Sequence, residues 1–196
     1  MLQKLLKIFR KSNIKDRSFL LDYLPPQSVG AEIGVWKGGF TKQILEAVNP
    51  KELFLIDPYA YQPSYTSAWY GKPELDQKKM DAIFEETKAD LETLSRNVEL
   101  HFLREDSTKA HQKIEEGGLD WVYIDGNHTY EFVKKDLLNF YPKVKVGGYI
   151  TGDDYDLQGW WDNGVKKAVD EFIQEHTAQI EVLELKEEQF VIRRTS

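Results

Sequence analysis

The stretch from Leu119 to Tyr155 constrains the fold of this chain more than any other. Trp121 to Ile124 is a short apolar run that ends at Asp125, and Tyr149 to Thr151 is a second that ends at Asp153 and Asp154. About 28 residues separate the two carboxylate positions, room for the strand–helix–strand crossover that parallel strands require. Parallel neighbours lie ~4.8 Å apart with their C-terminal ends on one edge, and that edge is where open α/β sheets bind ligands. Three carboxylates delivered there repel one another unless a cation or a shared proton sits among them.

The flanking pattern extends the unit in both directions. Ser28 to Val35 reads as a buried first strand running into a glycine turn, and Phe40 to Val48 has helical spacing stopped by Asn49-Pro50. Glu52 to Ile56 is a second apolar run ending at Asp57-Pro58. Strand, turn, helix and strand with an acidic end form the opening of a nucleotide-binding α/β fold. Further on, the pattern predicts a helix over Pro73–Arg96, a third strand over Val98–Leu103, a helix over Tyr130–Tyr141 and a fifth strand over Val144–Thr151. A helix over Val165–Glu175 and an antiparallel pair, Ile180–Leu185 with Gln189–Ile192, complete the chain. Between Tyr59 and Lys72 the periodicity breaks into an aromatic loop long enough to suggest function or mobility.

A chain of 196 residues with 41% hydrophobic residues suits one domain with a real core. Its net charge of −7 argues against a general nucleic-acid binder. With no cysteine, disulfide scaffolds, thiolate zinc sites and cysteine nucleophiles are excluded, and a cytoplasmic location is compatible. No run approaches the ~18 apolar residues of a membrane span. Residues 1–17 hold six Lys/Arg and one Asp, with Leu2, Leu5, Leu6 and Phe9 at helical spacing. Residues 1–24 therefore read as an N-terminal helical extension before a domain at 25–196. That helix packs on the domain or on a second subunit of a homodimer, with membrane-surface contact by residues 1–12 the weaker alternative.

The glycine turn Glu32-Ile33-Gly34-Val35-Trp36-Lys37-Gly38-Gly39 carries chemistry of its own. Glu32 stands where a dinucleotide fingerprint places its first glycine, and no Lys-Ser/Thr pair follows to make a phosphate loop. A carboxylate at the turn's start suits a ligand bearing a cation. Asp57, about 20 residues on at the end of the second strand, can hold both hydroxyls of a ribose. Asp106-Ser107, after the third strand, meets an adenine edge or simply caps a helix.

The chain resembles the class I S-adenosylmethionine-dependent methyltransferases, specifically their small-molecule O-methyltransferases of the metal-dependent type. The resemblance rests on Ala31 to Gly39, on Ile124-Asp125-Gly126-Asn127-His128-Thr129-Tyr130 and on Gly147 to Tyr155, and spans Gly30 to about Phe172. It implies a Rossmann-like sheet of seven strands, mostly parallel with an antiparallel C-terminal strand and helices on both faces. It places S-adenosylmethionine over the first two strands, with Glu32 and Gly34 near its amino-acid part and Trp36 and Gly38 in the same turn. Asp57 would meet the ribose, and Asp106 and Ser107 the adenine. Related enzymes hold Mg²⁺ with one strand-four acid and a strand-five acidic or amide pair, which match Asp125, Asp153 and Asp154. All-oxygen ligands suit that ion. Some relatives carry a second acid or a lysine where Asn127 and His128 stand here. That departure leaves the identity of the base open, with His128, a group that titrates near neutrality, as the candidate beside Asp125.

The expected activity is methyl transfer to a hydroxyl of a small sugar or phenolic acceptor. The alternatives are an NAD-dependent oxidoreductase on a similar sheet and a non-catalytic cofactor-binding subunit. The aromatic loops Tyr59–Tyr70 and Tyr155–Trp161 would stack on a flat acceptor or pack between subunits.

Overall fold

A computed structural model describes residues 17–95 and 97–196. The amphipathic helix expected over residues 1–12 lies outside the described residues. The sheet has seven strands in the order β3-β2-β1-β4-β5-β7-β6: β1 Val29–Ile33, β2 Glu52–Ile56, β3 Glu99–Leu103, β4 Leu119–Ile124, β5 Val144–Gly152, β6 Ile180–Lys186 and β7 Gln189–Arg194. β1 to β5 run parallel. β7 is antiparallel to both of its neighbours, and the tight turn that permits this puts Glu187 and Glu188 at φ +52° and +63°. The Rossmann-like expectation is met in full.

Helices are α1 Ser18–Leu21, α2 Gly39–Ala47, α3 Gln77–Leu94, α4 Ser107–Ala110, α5 Tyr130–Phe140 and α6 Gly164–Glu175. α3 starts later than the apolar pattern suggests because Asp76 caps it, accepting from the Lys79 N–H. Only the first turn of the helix expected over Arg17–Leu24 forms.

The central strands β1 and β4 are buried on both faces, which is why they read as continuous apolar runs. On one face Val133, Leu137 and Phe140 of α5 and Val165, Val169 and Phe172 of α6 pack with Ile33, Val122 and Ile150. On the other, Leu20 of α1, Leu24, Phe40 and Ile44 of α2 and Leu91 of α3 pack with Leu53, Trp121 and Tyr123. The chain at 17–24 is thus anchored in the core by two leucines. No helix among the described residues is long and apolar enough to cross a membrane.

Candidate active site

The order reverses between β1 and its neighbours β2 and β4, so the C-terminal ends of β1, β2, β4 and β5 share one rim at the switch point. Gly34 leaves β1 at φ +91°, and a Cβ there would stand 2.0 Å from the Asp125 carbonyl oxygen. The close backbone approach that this glycine permits is therefore to the chain carrying Asp125. Trp36 takes a left-handed φ of +51°, and its N–H donates to Asp57 Oδ2 at 2.9 Å. Asp57 Oδ1 accepts from the Tyr59 N–H at 2.8 Å, and the Tyr59 hydroxyl returns to the Trp36 carbonyl at 2.7 Å. One carboxylate thus staples the glycine turn to the end of β2. Gly38 forms the N-cap of α2.

Glu32 is 1% exposed and accepts from Thr41 Oγ1 at 2.6 Å. Burial pushes its carboxyl up to about 8; the Thr41 hydrogen bond opposes the shift and the Asp125 charge adds to it. Burial also raises Asp57, against the backbone N–H groups of Trp36 and Tyr59. These two acids stand at the ends of adjacent strands, one calling for a cation and the other for hydroxyl donors.

Asp106 caps α4, its Oδ1 accepting from the Thr108 N–H at 2.9 Å. Ser107 is buried and bonds to Asp136. Sequence reasoning missed Asp136. It is 1% exposed, and burial lifts it to about 7 although Ser107 lowers it. Its Oδ1 has no partner among the described residues. A charged residue three positions from Val133 and four from Phe140, on the apolar face of α5, was the available signal.

Asp125, Asp153 and Asp154 do converge, and among the described residues two cationic side chains, Arg17 and His128, lie between them. Arg17 Nη1 donates to Asp125 Oδ2 at 2.8 Å and to the Tyr123 hydroxyl at 2.7 Å. Its Nη2 pairs with Asp153 Oδ2. Asp153 Oδ1 accepts from Gln189 and, at 2.7 Å, from the Asp154 N–H. His128 spans the other gap, with Nδ1 2.8 Å from Asp154 Oδ2 and Nε2 3.3 Å from Asp125 Oδ1. Asp154 adopts φ +60°, one of several strained residues on this rim. The His128 ring also lies edge-on to Trp161, centroids 4.8 Å apart. Its loop is held by Gly164, where a Cβ would come within 2.5 Å of the His128 carbonyl.

These contacts correct the expected charge state of His128. Burial alone would lower its pKa, but the Asp125 and Asp154 carboxylates outweigh burial and raise it to about 10. The ring is an imidazolium at neutral pH rather than a group titrating there. The donor set for Mg²⁺ fits poorly in this arrangement. Asp125, His128 and Asp154 bring ligand atoms within 4.8 Å of one another. Yet Asp125 faces both cations, Asp153 is turned onto Arg17 and Gln189, and Asp154 onto His128.

The two aromatic loops meet over this rim, with Tyr65 and Trp160 centroids 5.5 Å apart and Trp160 against Trp161 at 5.7 Å. The other histidines lie elsewhere. His101 stacks on Phe54, His111 bonds to the Ser107 carbonyl and His176 stacks on Phe172.

Residues 31–155 match the family model described as a methyltransferase domain. An uncharacterized protein of Acanthamoeba polyphaga mimivirus is 27% identical over 129 residues, 66% of this chain and 52% of that protein. The chain spans about half the length of that curated relative. Among solved structures, a Clostridium thermocellum protein assigned as an rRNA methylase superposes with a TM-score of 0.63 at 15% identity, covering 91% of this chain and 93% of that one. The O-methyltransferase NovP gives 0.58 at 21% identity, with 90% and 75% covered. A Streptococcus mutans protein assigned as a methyltransferase, solved in complex with SAH, gives 0.58 at 15%, with 89% and 92% covered. The matched segment runs from β1, through the glycine turn and Asp57, to Tyr155 just past the β5 acids, and on this ground the chain belongs to the S-adenosylmethionine-dependent methyltransferase family.

Proposed function

We propose that the chain transfers the methyl group of S-adenosylmethionine to a hydroxyl of a small molecule, a sugar or a phenol. The observation that carries the proposal is the corner formed by Asp125, His128 and Asp154, which faces the Glu32–Asp57 half of the rim across Gly34. Glu32 would sit at the cofactor's ammonium end, Trp36 and Gly38 along its chain, Asp57 at the ribose, and Asp106 and Ser107 at the adenine. When bound, S-adenosylmethionine supplies an electrophilic methyl carbon whose sulfur departs as a neutral thioether.

Asp125, with its side chain 18% exposed, accepts a hydrogen bond from the acceptor hydroxyl and turns a lone pair of that oxygen towards the methyl carbon. The carbon–oxygen bond forms as the carbon–sulfur bond breaks, and the oxygen becomes far more acidic as it gains positive charge. A carboxylate is then base enough to take the proton. His128 holds Asp125 in place through its imidazolium; acting as the base itself would require the neutral ring, only about one part in a thousand at pH 7 for a pKa near 10. The aromatic loops around Tyr65, Trp160 and Trp161 cover a flat acceptor face. No step runs through Mg²⁺: a dication would reach Asp125 and Asp153 only by displacing Arg17.

The O-methyltransferase NovP among the structural neighbours supports an oxygen acceptor. The rRNA methylase assignment of another neighbour sits badly with a net charge of −7. Calorimetry with S-adenosylhomocysteine, followed by methyl transfer to a panel of hydroxylated sugars and phenols, tests the proposal. Micromolar or tighter binding and transfer to at least one acceptor are expected. Failure to bind the cofactor product overturns the proposal.

A further inference from the structure

Arg17 is a cationic partner of the acceptor corner that no local pattern announces. It lies 108 residues from Asp125 in sequence and immediately precedes α1, whose Leu20, with the nearby Leu24, is sunk in the core against Phe40 and Ile44. The arginine is therefore delivered by a docked segment. Its guanidinium carbon lies 5.7 Å from the Phe40 ring centroid and 6.0 Å from that of Tyr123, so an aromatic wall backs it. In front it grips Tyr123, Asp125 and Asp153 together. A guanidinium bridging two carboxylates in a fork is a geometry that lysine cannot reproduce.

We propose that Arg17 is the built-in counter-cation of the acceptor corner. It occupies the seat between Asp125 and Asp153 that a divalent ion would otherwise take, so that methyl transfer needs no metal while residues 17–24 are docked. The inference rests on reading this corner as the acceptor half of the site, and it follows from three features. Asp153 is 3% exposed and gives one oxygen to Arg17 and the other to Gln189 and the Asp154 N–H. Asp125 divides its two oxygens between Arg17 and His128. A small dication demands near-octahedral oxygen ligands at about 2.0–2.1 Å, and the place between Asp125 and Asp153 where it would gather them is filled by the guanidinium. Removing Arg17 takes the guanidinium from between Asp125 and Asp153, and the vacated seat, lined by carboxylate oxygens, draws a cation from solution.

The test is a manganese titration of the full chain followed by electron paramagnetic resonance, with Mn²⁺ as the probe. Wild type is expected to leave the spectrum of the free ion unchanged up to millimolar Mn²⁺. Arg17→Gln is expected to bind Mn²⁺ at least about tenfold more tightly, because the seat between Asp125 and Asp153 is then open. Adding Asp153→Asn to that variant should abolish the gain, and Arg17→Lys should bind less Mn²⁺ than Arg17→Gln. Wild type that binds Mn²⁺ as tightly as Arg17→Gln overturns the proposal, as does an Arg17→Gln protein that is folded by near-ultraviolet circular dichroism and gains nothing. If Arg17→Gln fails to fold, the wild-type arm decides: micromolar Mn²⁺ affinity that is lost in Asp153→Asn refutes the built-in cation, and its absence supports it. Calorimetry with S-adenosylhomocysteine, with and without EDTA, separates the two readings. Loss of all binding would sink the methyltransferase proposal while leaving the manganese result to judge Arg17.

Discussion

Binding of S-adenosylhomocysteine should expel a proton from Glu32. The unliganded chain keeps this carboxyl buried against Thr41 with its pKa at about 8, so roughly 90% of molecules hold it protonated at pH 7. A cationic amine brought within about 4–6 Å lowers a carboxyl pKa by 1–3 units. Taking about 2 units, some 9% would stay protonated after binding and roughly 0.8 proton would leave per ligand at pH 7. The sign follows: the ligand prefers the ionised acid, so affinity rises with pH between the bound and free pKa values, and levels off above about 8. Calorimetry at pH 7 in phosphate and in Tris, which differ widely in ionisation enthalpy, reads the proton number as the slope of observed against buffer enthalpy. Glu32→Gln, which can still accept from Thr41, should flatten that slope towards zero and remove the pH dependence below 8. A wild-type slope near zero, or an equal slope in Glu32→Gln, would refute the reasoning.

Other outcomes follow from the same contacts. Asp57→Ala removes the acceptor of two backbone N–H groups; at about 1.5–3 kcal/mol for a charge-assisted bond, the Kd for S-adenosylhomocysteine should rise between about tenfold and a hundredfold. Gly34→Ala forces a left-handed φ on a residue with a Cβ against the Asp125 backbone, and should lower stability by at least about 2 kcal/mol in urea unfolding. Because the folded pKa of His128 is raised above the unfolded 6.5 to about 10, its stabilisation is complete below 6.5 and lost as the pH climbs through 10. His128→Asn should flatten the fall in melting temperature across that window. With Asp125 as the proton acceptor, kcat is expected to be level between pH 7 and 9; a tenfold rise per pH unit there would return the role of base to the His128 ring.

Much of the fold is legible in the chain because its signals are local. Apolar runs ending in acids, a glycine turn and helices stopped by Asn49-Pro50 or Pro142 need only neighbours within a few residues to be read. The run from Tyr149 to Thr151 had to pair beside Trp121 to Ile124, and it does, in register. The boundaries that slipped, such as the late start of α3 at its Asp76 cap, depend on single hydrogen bonds. Asp136 was visible as a polar residue on an apolar stripe, yet its buried bond to Ser107 belongs to tertiary packing.

The sequence by itself determined that three carboxylates, a glycine turn and Asp57 would share one rim, since parallel strands leave no other place for their ends. Only the tertiary structure decided what those carboxylates do. Arg17 reaches Asp125 from 108 residues away, and periodicity carries no information about such a contact. The charge on His128 likewise comes from two acids on different strands acting at close range in a site shielded from water. Where a strand begins and ends is legible in local chain pattern, whereas protonation and ion pairing answer to the field of every group folded within a few ångströms.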